Sequence, residues 1–226
     1  MIVIDHNHPA IVALRNSPGF KRNKHNGAYY YSVEIAKYFI PTIQTDRNWV
    51  TMNVKTEMPD HAIVFAHNNV HLEWYEKYQD KDAILVCGMP ETAERLRKYA
   101  RTIYLPLSVD VKEVEQYRTK KTLDTCFVGR REKWTNRIPI GTPCLDGMPR
   151  KDLLRSLAKY RRAYAVDRCA IEAKILGCEV LEYGYNYGVP HPPEFWEVLD
   201  SRDAAKILQK ELDEIDGGKE HDENKL

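Results

Sequence analysis

"AYAVDRCAIEAKILGCEVLEYG", residues 163–184, begins and ends on a short apolar stretch with a helix-like run between them. Ala170, Ala173 and Leu176 fall near helical spacing, and Gly177 follows them as a C-cap. Asp167 stands where an N-cap belongs. The stretch therefore reads as strand, helix, strand, the repeating unit of a parallel sheet whose crossovers are helices. One acid, Glu172, lies in the first turns of that helix. Two roles stand open for it. A helical glutamate is most often an exposed one. A carboxylate at the end of a sheet can also hold the diol of a ribose or hexose with both oxygens.

The same alternation extends in both directions. Upstream, "AIVALRN" (10–16), "NWVTMNV" (48–54), "HAIVFAHNN" (61–69), "AILVCG" (83–88) and "TIYLPLSVD" (102–110) read as strands. Helical patterns fall among them at 28–40, ended by Pro41, at 71–79, and at 90–100, where Pro90 opens the helix. The segment 111–124, "VKEVEQYRTKKTLD", is charged and lacks a strong apolar face, so it reads as a connection. A second series follows: strands "TCFVGRR" (125–131) and "IPIG" (138–141), a helix at 149–160 with Leu153, Leu154 and Leu157 on one side, the opening stretch, and a helical run at 193–215. The expected fold is α/β, with two facing Rossmann-like domains and an abbreviated second one. Their expected limits are 1–110 and 125–215, joined by 111–124 and trailed by a polar, disordered tail at 216–226.

Composition narrows the partners. The chain has 226 residues, 43% hydrophobic and 30% charged, enough for a core and too apolar for wholesale disorder. A net charge of +1 points to no polyanionic partner for the chain as a whole, so any basic patch is local. No apolar run approaches membrane-spanning length, and "MIVIDHNHPA" is not a signal peptide, so the expected location is cytoplasmic. Five scattered cysteines lack zinc or redox spacing and read as reduced and structural. His6 and His8 form a pair without further ligands at suitable spacing, so no metal is expected.

Three other places offer chemistry. The loop "KRNKHNG" (21–27) precedes the first helix. Gly27 lets the backbone come close to a ligand, and the helix N-terminus behind it suits an anion. A solvated basic loop with an Asn-Gly turn is the alternative. In "FVGRREK" (127–133) a strand ends on Gly129 and places Arg130, Arg131 and Lys133 just past the sheet. Guanidinium groups there can grip a diphosphate and offset charge on a phosphate leaving group, or form an ordinary basic turn. His67, after the strand "AIVFA", is either a base or acceptor contact, or a polar strand cap.

Taken in order, these segments resemble the GT-B glycosyltransferases, family 4 type, over roughly residues 10–210. "NGAYYYSVEIAKYF" is similar to the glycine loop and first helix, and "AIVFAHNN" to the histidine strand of the acceptor domain. "AILVCGMPETAERLRKYARTIYLPLSVD" resembles the segment that closes that domain. "CFVGRREK" resembles the start of the donor domain, "AIEAKILGCEVL" the motif whose glutamate contacts the donor ribose, and "SRDAAKILQKEL" the closing helix.

The resemblance implies transfer of a sugar from a UDP-, GDP- or ADP-sugar, without metal, to an acceptor that includes polyanions such as nucleic acid among its options. It implies His67, Arg130 and Lys133 as the catalytic set, His67 on the acceptor side. Gly27, Arg131, Asp167, Arg168 and Glu172 would hold the donor, with Arg131 the rival of Arg130 if the register slips by one. Retaining members carry a second glutamate eight residues before the ribose-binding one, and here that position is Tyr164. The departure supports an alternative: a GT-B-derived protein that binds nucleotides or nucleotide sugars without turnover.

Overall fold

The computed structural model describes residues 27–51, 59–66, 72–130, 138–183 and 191–223, with backbone only at 27–30 and 218–223. These residues form an α/β protein of two compact units, each built on its own four-stranded parallel sheet of Rossmann-like character.

The first unit comprises Ser32–Pro106 and the chain from Ser201 onward. Helix α1 (Gly27–Glu34), of which only the last three residues, from Ser32, belong to this unit, runs straight into a π-helical turn, Ile35–Phe39, and the helical run stops before Pro41. Strands β1 (Asn48–Val50), β2 (His61–Phe65), β3 (Asp82–Cys87) and β4 (Arg101–Tyr104) lie in chain order, all neighbours parallel. A 3-10 helix, Leu72–Tyr78, joins β2 to β3, and α2 (Pro90–Leu96) joins β3 to β4. "AIVF" in β2 and "AILVC" in β3 are buried at every position. Such unbroken apolar runs fit strands covered on both faces, where alternation would fail. Phe65 anchors this core, with Phe39 edge-on at 5.7 Å and Trp49 stacked at 6.1 Å.

The second unit includes Leu107–Asp200. It contains α3 (Val111–Glu115), β5 (Leu123–Val128), β6 (Cys144–Leu145), α4 (Arg150–Leu157), β7 (Tyr160–Tyr164), α5 (Asp167–Ile175) and β8 (Glu179–Leu181), then a 3-10 turn at Pro193–Phe195. Its strands are all parallel, in the order β6-β5-β7-β8. Leu153, Leu154 and Leu157 are buried, as their spacing on α4 predicts. Phe127 pairs with Tyr164 across β5 and β7, and Tyr164 with Leu181 across β7 and β8.

The division of the chain differs from the expected one at three places. The break falls at Pro106–Leu107, and the segment 111–124 is part of the second unit. Asp110 is buried and accepts a hydrogen bond from the Glu113 amide, so the charged stretch starts with a capped helix and ends inside β5. The last helix, α6 (Ser201–Glu223), returns to the first unit and extends through most of the expected tail. Side-chain contacts explain that return. Ser201 donates to the Glu34 carboxylate at 2.7 Å, Arg202 reaches the Tyr38 hydroxyl at 3.0 Å, and Ala204, Ala205, Leu208 and Leu212 bury one face. The run expected to be helical from 193 becomes regular helix only at Ser201. "IPIG" is a turn rather than a strand: Thr142 bonds the Pro139 carbonyl, Gly141 takes φ +86°, and Ile140 is fully exposed.

A second anchor for α6 lies at the amino ends of β2 and β3. Arg47, buried, pairs with Asp216 of α6 at 2.9 Å and with Asp82 at 3.3 Å. His61 bridges Asp82 at 2.6 Å and Asp46 at 2.9 Å. The hydrogen bond from His61 and its charge hold the Asp46 carboxyl below its ordinary value. All five cysteines are free. Burial raises the Cys87 thiol to about 11 and pushes Cys126 and Cys178 up as well, so these three pack as small hydrophobes. Among the described residues no helix is long and apolar enough to cross a membrane.

Two outcomes follow from this packing. Phe65→Ala removes the ring on which Phe39 and Trp49 meet. It should lower unfolding free energy by about 3–5 kcal/mol, read as a reduced urea midpoint at unchanged slope. The depressed Asp46 carboxyl contributes stability that is present above the ordinary carboxylate range and lost as pH falls through its lowered value. Asp46→Asn should therefore flatten the fall in melting temperature between about pH 5 and pH 2.

Candidate functional site

Strand order locates the crevice. In the first sheet each described strand is followed by its immediate neighbour on the same side, so the direction of travel never reverses. In the second, the chain moves from β5 to β6 on one side, then crosses back past β5 to β7 and on to β8. Right-handed crossovers put connections of opposite direction on opposite faces. A gap opens where the direction reverses, outside the carboxyl ends of the two strands, and ligands of open parallel sheets bind there. In this chain those ends are "VGR" after β5 and "AVDR" after β7.

Each of these tips has a special backbone. Gly129 takes φ +138°, a conformation that favours glycine, and its amide donates to the Leu145 carbonyl at the end of β6. Arg130 follows, exposed. After β7 the chain stays extended through Val166, at φ −137° and ψ 169°, and turns at Asp167, where φ is +54°. Val166 is thus the N-cap of α5, and Asp167 is the first helical residue rather than the cap its sequence position suggests.

Glu172 is placed differently from an open ribose ligand. Its exposure is 0%, and Oε1 takes Arg150 at 2.5 Å and Arg168 at 3.1 Å. Arg168 lies one turn earlier on the same helix. Arg150 is the first residue of α4, and its Nε lies 3.7 Å from Glu113 on α3. The cluster holds two guanidinium groups and two carboxylates, so its charges cancel, and it ties together the N-terminal parts of three helices. A buried ion is tolerable only when paired in this way.

The structure thus brings Arg168 and Glu172 together and leaves Arg130 after β5 and Asp167 after β7, at the carboxyl ends of neighbouring strands. Gly27 opens α1. His67, Arg131 and Lys133 lie outside the described residues, as do His6, His8 and most of the basic loop before Gly27. Among the described residues no three acids, histidines or cysteines gather as a metal site. Sequence reasoning missed Arg150. Its signal was present: residue 150 precedes Leu153, Leu154 and Leu157 by three, four and seven positions, so it shares their buried face. A cation on an apolar face requires a carboxylate partner.

Comparison with protein-family models, with curated proteins and with solved structures finds no match for this chain. The role of the cluster is therefore tested by perturbing it. Glu172→Gln leaves two buried guanidinium groups without their shared counter-charge. It should cost about 3–5 kcal/mol of unfolding free energy, measured by urea titration followed by circular dichroism.

Proposed function

We propose that the chain is a metal-independent glycosyltransferase of GT-B type, with two facing domains, that moves a sugar from a nucleotide-diphosphate donor to an acceptor. The observation that carries this reading is the reversal of strand order at β5 and β7, two parallel neighbours at whose carboxyl ends "FVGR" and "AVDR" lie. A ligand in that gap meets the Arg130 guanidinium on one side and the N-terminus of α5 on the other. Both favour a diphosphate. When the bond between the sugar and the diphosphate breaks, negative charge grows on the departing oxygen, and a guanidinium beside it offsets that charge. Lys133 and Arg131 would add to the same field, Gly27 would bring backbone amides to the phosphates, and His67 would serve the acceptor. An acceptor rich in phosphate, nucleic acid included, suits the basic residues of 21–25 and 130–133.

A second reading has its own observation. Tyr164 occupies the place of an acid beside Phe127, and Glu172 is sealed by Arg150 and Arg168. Both suit a protein that binds the donor and does not turn it over.

Calorimetric titration of the full chain with UDP-, GDP- and ADP-sugars tests the proposal. One of them should bind, and Arg130→Ala should weaken it at least about tenfold by removing a charge-assisted contact. Release or transfer of sugar from the bound donor, lost in Arg130→Ala, separates the enzyme from the silent binder. Failure of every nucleotide to bind contradicts both.

A further inference from the structure

We infer that the amino edge of the second unit's sheet, the edge opposite the crevice, binds the phosphate backbone of a nucleic acid. The inference goes beyond the donor-binding reading and does not depend on it.

Charge distribution is the first argument. The chain is close to balance, with 34 basic and 33 acidic residues. Segments 118–124 and 159–162 depart from that balance. They hold six cations, Arg118, Lys120, Lys121, Lys159, Arg161 and Arg162, and one acid, Asp124. The fold joins the two segments. The Thr122 and Leu123 amides donate to the Lys159 carbonyl at 2.9 and 3.0 Å, Leu123 pairs with Tyr160, and Thr125 with Arg162. Both segments therefore lie where β5 and β7 begin. Like charges gathered in this way repel one another, and a surface of mixed sign avoids that cost. An edge of one sign on a balanced chain offers its field to a partner of the other sign.

The second argument is what these cations already hold. Arg118 donates to the Ile175 carbonyl at 2.5 Å, and Lys121 to the Leu176 carbonyl at 2.7 Å, both at the end of α5. Cations there satisfy the last carbonyls and offset the helix dipole. Arg162 pairs with Asp124 at 2.7 Å, and Glu179 faces the same arginine from β8. Packing accounts for these three. Lys120, Lys159 and Arg161 are exposed and form no ion pair among the described residues. The rim favours nucleic acid over a lipid surface. Leu123 is the only exposed large apolar side chain in the two segments, too little to enter a membrane. Tyr117, half-buried, lies under the Arg155 guanidinium at 5.9 Å and next to Arg118 in the chain. A ring flanked by cations suits a base beside its own phosphate. Contacts of this kind are salt-dependent and read no sequence.

The test titrates the full chain into a labelled single-stranded oligonucleotide, its duplex, and vesicles of phosphatidylserine in phosphatidylcholine, over a series of salt concentrations. Wild type should bind the oligonucleotide in either form at low salt. The triple variant Lys120→Gln, Lys159→Gln, Arg161→Gln should weaken that binding about tenfold or more and make the slope of log affinity against log salt shallower by about two to three. It should keep the melting temperature to within about 4 °C, since all three side chains are exposed. The charge-preserving variant Lys120→Arg, Lys159→Arg, Arg161→Lys should bind as wild type does. A control removes the same charge from exposed lysines of the first unit, Lys77→Gln, Lys98→Gln and Lys210→Gln, and should leave affinity and slope nearly unchanged. Unchanged oligonucleotide binding in the first triple variant, or an equal loss in the control, overturns the inference. So does wild type that binds no oligonucleotide, or that binds only the vesicles. Absence of nucleotide-sugar binding in wild type removes the donor-binding reading and leaves this inference standing.

Discussion

A carboxylate with no access to water must be paired, and in the second unit that requirement fixes three helices at once. Glu172 is held between Arg150 of α4 and Arg168 of its own helix, and Arg150 extends toward Glu113 of α3. Crossovers from β6 to β7 and from β7 to β8 travel in the same direction, so their helices lie on one face and can meet. The ion cluster sets how they meet.

The first unit solves a different problem. Its described strands follow one another without reversal, and its cover depends on a helix supplied from the far end of the chain. Glu34, Tyr38 and Arg47 hold α6 there through Ser201, Arg202 and Asp216. Within the second unit, the chain that arrives and the chain that leaves run side by side, with Val109 paired to Asp200 and the Val111 amide bonded to the Asp200 carboxylate. Segment Leu107–Asp200 of the second unit thus lies between two segments of the first in the chain, and its two ends are held to each other.

Much of the α/β pattern was legible because buried parallel strands write themselves as unbroken apolar runs, as in β2 and β3. The helix at 150–157 was legible from its leucines. Other features were not. A two-residue strand such as β6 carries no period, and the apolar "IPIG" six residues earlier imitated one until Pro139 and Gly141 made it a turn. The apolar face of α6 announces a buried helix without saying which sheet it covers. The pairing of Glu172 was hidden for the same reason. Sequence spacing shows that Glu172 lies on a helix, and only the partner from α4 shows that its carboxylate is occupied. The left-handed turn at Asp167 has no sequence signature, because aspartate is also a common N-cap.

Crystals of the full chain soaked with the nucleotide-diphosphate sugar that binds would place the ligand by observation. The account predicts the diphosphate at the carboxyl ends of β5 and β7, within hydrogen-bonding distance of Arg130, with the Arg150–Glu172 pair intact. A nucleotide bound away from these strand ends, or a hydroxyl group on Glu172 with Arg150 displaced, would contradict it.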